Sequence, residues 1–141
     1  MDQIERDVFI AAPVERVWEI ITEGRHVAGW FSDEAEVEAH TGGRMVLTWN
    51  EHGRFICVVE RASPPHVFAF RGSYEPDTEP TPDNSTLVEF TLTPEGDGTR
   101  LLVVESGFEA LDGPDEERDR NAEGWRIDIG ALVEYVGTIT G

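Results

Sequence analysis

Apolar positions along the chain change period three times. Ile4, Val8 and Ile10 fall on one face of a strand spanning residues 4–11, which Ala12-Pro13 brings to an end. Val14, Val17, Trp18 and Ile21 then recur at i, i+3, i+4 and i+7, the stripe of an amphipathic helix. Pro13 suits its first turn, where an N–H would be unpaired anyway. Gly24 is expected to end this helix, and a second short helical piece covers Arg25 to Phe31. From Glu34 the period becomes two and predicts strands at 34–40, 43–50, 53–62, 66–74, 85–93 and 99–106. Gly42-Gly43, Asn50 to Gly53 and Gly96-Asp97-Gly98 read as tight turns between them, and Ser63-Pro64-Pro65 as a turn or bulge. Residues 75–84 carry three prolines and four acids and form a longer exposed loop. Helical spacing returns with Trp125, Ile129, Leu132 and Val136, predicting a long helix over about 115–137 with Pro114 at its start.

Consecutive strands joined by short connections make an antiparallel meander, not βαβ units. The predicted class is α+β, with a seven-stranded sheet whose apolar face needs a cover. The final helix is the element long enough to provide it. The sheet must curve to grip that helix, and the early helices close one end. A hollow remains wherever side chains fail to fill the space between helix and sheet.

The 141 residues are the size of one domain, expected to span 1–141, and 39% hydrophobic content supports an ordinary globular core. Cys57 is the single cysteine, so an internal disulfide is excluded. The start of the chain, Met1 to Asp7, is charged and resembles no leader, and no window approaches the ~18 apolar residues of a membrane span. The expected location is cytoplasmic. Twenty-nine acids against 11 basic residues give a net charge of −18, which repels phosphate backbones and anionic lipid. Neither nucleic acid nor membrane insertion is therefore expected. The acidity serves solubility, or offers a docking face to a basic protein partner.

Ala12-Pro13-Val14-Glu15-Arg16-Val17-Trp18, Trp30-Phe31, Gly42-Gly43-Arg44 leading to Trp49, Val58-Val59-Glu60, Pro64-Pro65 and Val88-Glu89-Phe90-Thr91-Leu92 follow one another in order. They continue with Gly98-Thr99-Arg100-Leu101, Ser106-Gly107-Phe108, and Gly124-Trp125 up to Tyr135-Val136. In this ordered set the chain resembles the activator-of-Hsp90-ATPase-homologue-like branch of the START/Bet v 1-like (SRPBCC) superfamily. The resemblance implies a helix-grip fold with a cavity between sheet and C-terminal helix. The superfamily includes lipid carriers, hormone receptors and aromatase/cyclases, so the fold implies no single activity.

The residues suggest a ligand cavity more than a reaction. His26, His40, His52 and His66 lie in separate segments without HxH or HExxH spacing, so they are expected at the surface or in turns, with no metal. Cys57, between Ile56 and Val58, is expected as a buried apolar thiol. No GxSxG, phosphate-binding Gly-rich loop or Cys/His pairing occurs, and no catalytic residue or cofactor is nominated. Large rings are abundant: Trp18, Trp30, Phe31, Trp49, Phe55, Phe68, Phe70, Phe90, Phe108 and Trp125. Each can serve core packing; as a set, the fold makes some of them cavity wall. Alternation puts Val103 and Glu105 on the inner face with Leu101, opposite Trp125, Ile129 and Leu132 of the helix. Glu105 is open to three roles. It can reach water or pair with Arg44 or Arg71, anchor a ligand, or act as a general acid or base. The favoured function is binding of an apolar or aromatic metabolite by a monomer or homodimer. The alternatives are a protein-interaction, co-chaperone-like module and a cyclase- or hydrolase-type enzyme that works by positioning.

Overall fold

The computed structural model describes residues 3–111 and 114–140. The chain runs β1 (Gln3–Ile10), α1 (Val14–Thr22), α2 (Gly24–Trp30), β2 (Glu34–Val37), β3 (Arg44–Trp49) and β4 (Gly53–Ser63). It continues with β5 (Val67–Ser73), β6 (Ser85–Glu95), β7 (Gly98–Ser106), a 3-10 turn at Phe108–Ala110, and α3 (Pro114–Thr140). The seven strands form one antiparallel sheet in the order β1-β7-β6-β5-β4-β3-β2. Only β1 leaves the sequential meander, crossing to pair with β7 along its whole length. A bulge between Val59 and Arg61 shifts the β4–β5 register, and such an extra residue bends and twists a strand. The curved sheet and the long C-terminal helix are those expected from the hydrophobic pattern.

The inner face follows the predicted alternation. Beyond the first residue of each strand, which is also buried, the buried positions are Thr86, Val88, Phe90 and Leu92 on β6 and Thr99, Leu101, Val103 and Glu105 on β7. Register sets Leu92 opposite Leu101, Phe90 opposite Val103, and Val88 opposite Glu105. Phe68 of β5 is wholly buried, stacked on Phe90 and met edge-on by Trp18 of α1. Trp125, Leu132 and Val136 of α3 close over this face. Asp115, Glu116 and Glu117 occupy the first turn of α3, where negative charge is favoured by the helix dipole.

Local expectations fail at three places. Gly24 does not end the first helix but opens α2; a Cβ there would lie 2.6 Å from the Ala35 carbonyl oxygen, so α2 packs tightly on β2 because this residue is glycine. β2 stops at Val37, not at residue 40, because the chain turns back on itself: His40 N–H donates to Glu38 O and Gly43 N–H to His40 O. His26 is buried, not at the surface, with Nδ1 2.7 Å from the Tyr135 hydroxyl. Gly29, one turn on, leaves the room that the Tyr135 ring fills, since a Cβ would come within 2.4 Å of it. Burial, reinforced by Arg25, holds the His26 pKa below the ordinary histidine value.

α3 depends on its inner stripe for attachment. Leu132 has no exposed surface, whereas Ile127 is 57% exposed on the outer side. Leu132→Ala is expected to lower unfolding stability by about 2–5 kcal/mol, and Ile127→Ala by less than about 0.5 kcal/mol, in urea titrations followed by tryptophan fluorescence.

Candidate functional site

The two halves of α3 meet the sheet differently. Toward the C-terminus, Leu132 and Val136 fill the gap. Toward the N-terminus, the inward positions are Asn121, Gly124, Trp125 and Asp128, and a cavity of about 540 Å³ opens beneath them. A Cβ at Gly124 would meet nothing within 4 Å, so its missing side chain leaves open space. Gly72 of β5 also lines the cavity, where a Cβ would crowd the Cys57 sulfur at 2.9 Å. The volume lies in the ~300–1,000 Å³ range of small-molecule sites. Phe31, Trp49, Phe55, Phe70 and Trp125 form aromatic walls, joined by Leu47, Cys57 and Val88. Phe31 is the hub of this wall, stacked on Trp125 at 5.5 Å and met edge-on by Trp49 at 5.4 Å. The Trp49 indole N–H donates to the Phe31 carbonyl at 3.0 Å, which fixes the two rings.

One end of the cavity is polar. Glu105, 3% exposed, accepts from the Trp125 indole N–H at 2.8 Å and from the Thr86 and Tyr74 hydroxyls, each at 2.5 Å. The Asn121 amide adds contacts of 3.2 and 3.3 Å to its two oxygens and also donates to the Tyr74 hydroxyl. Every partner is a donor, the arrangement that suits an ionised carboxylate. Among the described residues no ion pair reaches it. Arg44 pairs with Glu79 and Arg71 with Glu60, so neither arginine that the sequence offered is its partner, and the side chain is sealed from water. Burial, followed by the adjacent Glu105 charge, raises the Tyr74 pKa above its ordinary value, so the hydroxyl stays protonated and donates. Burial likewise pushes the Cys57 thiol up to about 12, leaving it an inert wall atom.

Asp128 differs from Glu105. It lines the same cavity one helical turn beyond Trp125, and among the described residues no hydrogen-bonding donor surrounds it in the way that four surround Glu105. Burial alone raises its pKa to about 6. His52, Glu117 and Arg120 stand at the rim, Glu117 and Arg120 paired at 2.9 Å.

A family model described as Activator of Hsp90 ATPase homolog 1-like protein matches residues 11–137. The chain belongs to this family. Solved structures of similar proteins agree. The chain is 28% identical to DynU16, a putative protein in the dynemicin biosynthetic locus, with a TM-score of 0.80 over 98% of this chain and 48% of that one. It thus spans about half of DynU16. It is 26% identical to BH1534 of Bacillus halodurans, with a TM-score of 0.77 over 96% of this chain and 97% of that one. The Aha1 dimer of Colwellia psychrerythraea shares the fold at 15% identity, with a TM-score of 0.80 over 96% of both chains. No curated protein sequence matches. No helix among the described residues is long and apolar enough to cross a membrane.

Of the residues picked from sequence, Phe31, Trp49, Phe55, Phe70, Glu105 and Trp125 border the cavity of this family member. Trp18, Trp30, Phe68, Phe90, Val103, Ile129 and Leu132 do not; they pack into the filled part of the core. Phe90 touches Trp125 from behind, edge to face at 5.9 Å, so it backs the wall without forming it. Sequence reasoning missed Tyr74, Thr86, Asn121 and Asp128. Their signals were present: Thr86 shares parity with Val88 and Phe90, Tyr74 with Phe68 and Phe70, and Asn121 and Asp128 stand four before and three after Trp125.

Two outcomes test these electrostatics. Glu105→Gln turns an acceptor edge into a donor facing other donors and is expected to cost about 1–3 kcal/mol of stability, with Tyr74→Phe costing less, in chemical denaturation. Asp128 has a folded-state pKa above its unfolded value, so its contribution to stability falls as pH rises from 3.8 through about 6. Asp128→Asn is therefore expected to stabilise the protein at pH 8, by on the order of 2 kcal/mol, with the gain vanishing near pH 4. Thermal melts across that range check it.

Proposed function

We propose that this protein binds an apolar or aromatic small molecule in the hollow between α3 and the sheet. The observation that carries the reading is the cavity of about 540 Å³ with aromatic walls and one buried polar end. Such a site buries most of a ligand of two or three rings and orients it through a few polar groups. The convergence of Glu105, Tyr74 and Asn121, in a cavity that Asp128 also lines, favours a second reading, in which a reactive ligand is held and turned over by positioning. Binding comes first in either case.

Gly124 gives a direct test. Leucine at this helical position should improve helix propensity by about 1 kcal/mol, while its side chain enters the empty space. The neutral probe N-phenyl-1-naphthylamine is expected to bind the wild type saturably, one to one, with enhanced fluorescence. Gly124→Leu should bind it at least tenfold more weakly with unchanged circular dichroism. No saturable binding, or equal binding by the two proteins, would overturn the proposal. Native mass spectrometry of protein purified from its own host then identifies any resident compound.

A further inference from the structure

We infer that the hollow selects aromatic organic cations, a ligand carrying an ammonium or similar group beside Asp128 with its rings against the aromatic wall. This rests on the binding reading and specifies its ligand class. Two independent features lead there. The first is the wall itself: the faces of Trp and Phe rings attract cations through their quadrupoles, and Phe31, Trp49, Phe55, Phe70 and Trp125 line the space. The second is the sign of the buried charge. Glu105 and Asp128 both face the hollow, and among the described residues no ion pair neutralises either. Arg120 is the one cationic residue among the described lining residues. It is 67% exposed and already pairs with Glu117 at the rim, leaving the interior without a positive group.

The two carboxylates divide the work. Glu105 has its oxygens occupied by Trp125, Thr86, Tyr74 and Asn121, so it fixes those side chains and contributes a standing negative potential. Asp128 lines the hollow with no such donor shell among the described residues, and a ligand ammonium would supply the counter-charge that burial denies it. A carboxylate ligand would meet like charge from both. Selectivity between ligands of one shape then comes from repulsion of the anion as well as attraction of the cation.

Other titratable groups share the space. They are Glu105 from β7, Tyr74 after β5, Cys57 from β4, His52 from the β3–β4 turn, and Glu117 and Arg120 from α3. Burial keeps Cys57 and Tyr74 neutral at ordinary pH. His52 lines the same space, so it is replaced in the pH series.

The test compares three ligands of one shape by isothermal titration calorimetry in 0.15 M salt: 1-naphthylmethylamine, 1-naphthylmethanol and 1-naphthoate. The amine is expected to bind at least tenfold more tightly than the alcohol at pH 8, and the naphthoate most weakly. In Asp128→Asn the amine and the alcohol should bind within threefold of each other. In Glu134→Gln, which removes an exposed acid farther along the same helix, the preference should persist. On a His52→Gln background the preference should shrink between pH 8 and pH 5. Equal binding of amine and alcohol by the wild type would overturn the cation assignment while leaving the binding reading intact. A preference that survives Asp128→Asn, or falls equally in Glu134→Gln, would assign it to the overall charge of −18 and overturn the site. Failure of all three ligands together with N-phenyl-1-naphthylamine would remove the binding reading itself.

Discussion

Glu105 is a carboxylate 3% exposed to solvent, and the donors that surround it come from separate parts of the chain. Thr86 belongs to β6, Tyr74 follows β5, and Asn121 and Trp125 belong to α3. A buried charge without donors would cost several kcal/mol, so the fold is held to an arrangement in which all of these meet. The Trp125 indole N–H is the central link. It ties the helix to β7 at 2.8 Å while its ring stacks on Phe31 and meets Phe90 edge-on. One side chain thereby sets the height of α3 over the sheet, completes the aromatic wall and satisfies the carboxylate.

The hollow follows from that attachment. Past Trp125, Leu132 and Val136 seal α3 to the inner face of the sheet. Before it, α3 offers Gly124, which has no side chain to fill the space, and Asn121, which reaches the sheet only at the polar end, where it meets Glu105. The helix is held at a fixed distance by its larger residues, so the space beneath the smaller ones cannot collapse. A well-packed core would normally be penalised for such a void. Here the void is rimmed by charged residues and floored by a satisfied polar cluster, the setting in which a binding site is retained.

Charge inside and outside the cavity has the same sign. The surface of a protein with net charge −18 already disfavours anions at long range, and the two interior carboxylates extend that preference to contact distance. The interior acids are nevertheless unequal. Donors complete the environment of Glu105, while Asp128 bears the cost of burial, with its pKa raised to about 6. That difference separates a group that builds the site from one available to what enters it.

The sequence by itself determined the class of fold and which side of each element faces inward. Period two from Glu34 onward and the Trp125, Leu132, Val136 spacing are local consequences of backbone geometry, and alternation alone put Glu105 on the apolar face. Family resemblance, carried by short motifs in order, pointed to the same architecture. Tertiary structure decided what no period encodes: which inward residues have empty space before them. Phe70 and Phe68 alternate identically, yet one borders the hollow and the other is stacked in the core, because the gap between helix and sheet depends on residues distant in sequence. The same cause hid the partners of Glu105, the burial of His26 beneath Tyr135, and the role of Gly24, whose missing side chain matters only because Ala35 lies against it. Local pattern sets direction; the distance across the core, and with it the cavity, is set by packing between elements far apart along the chain.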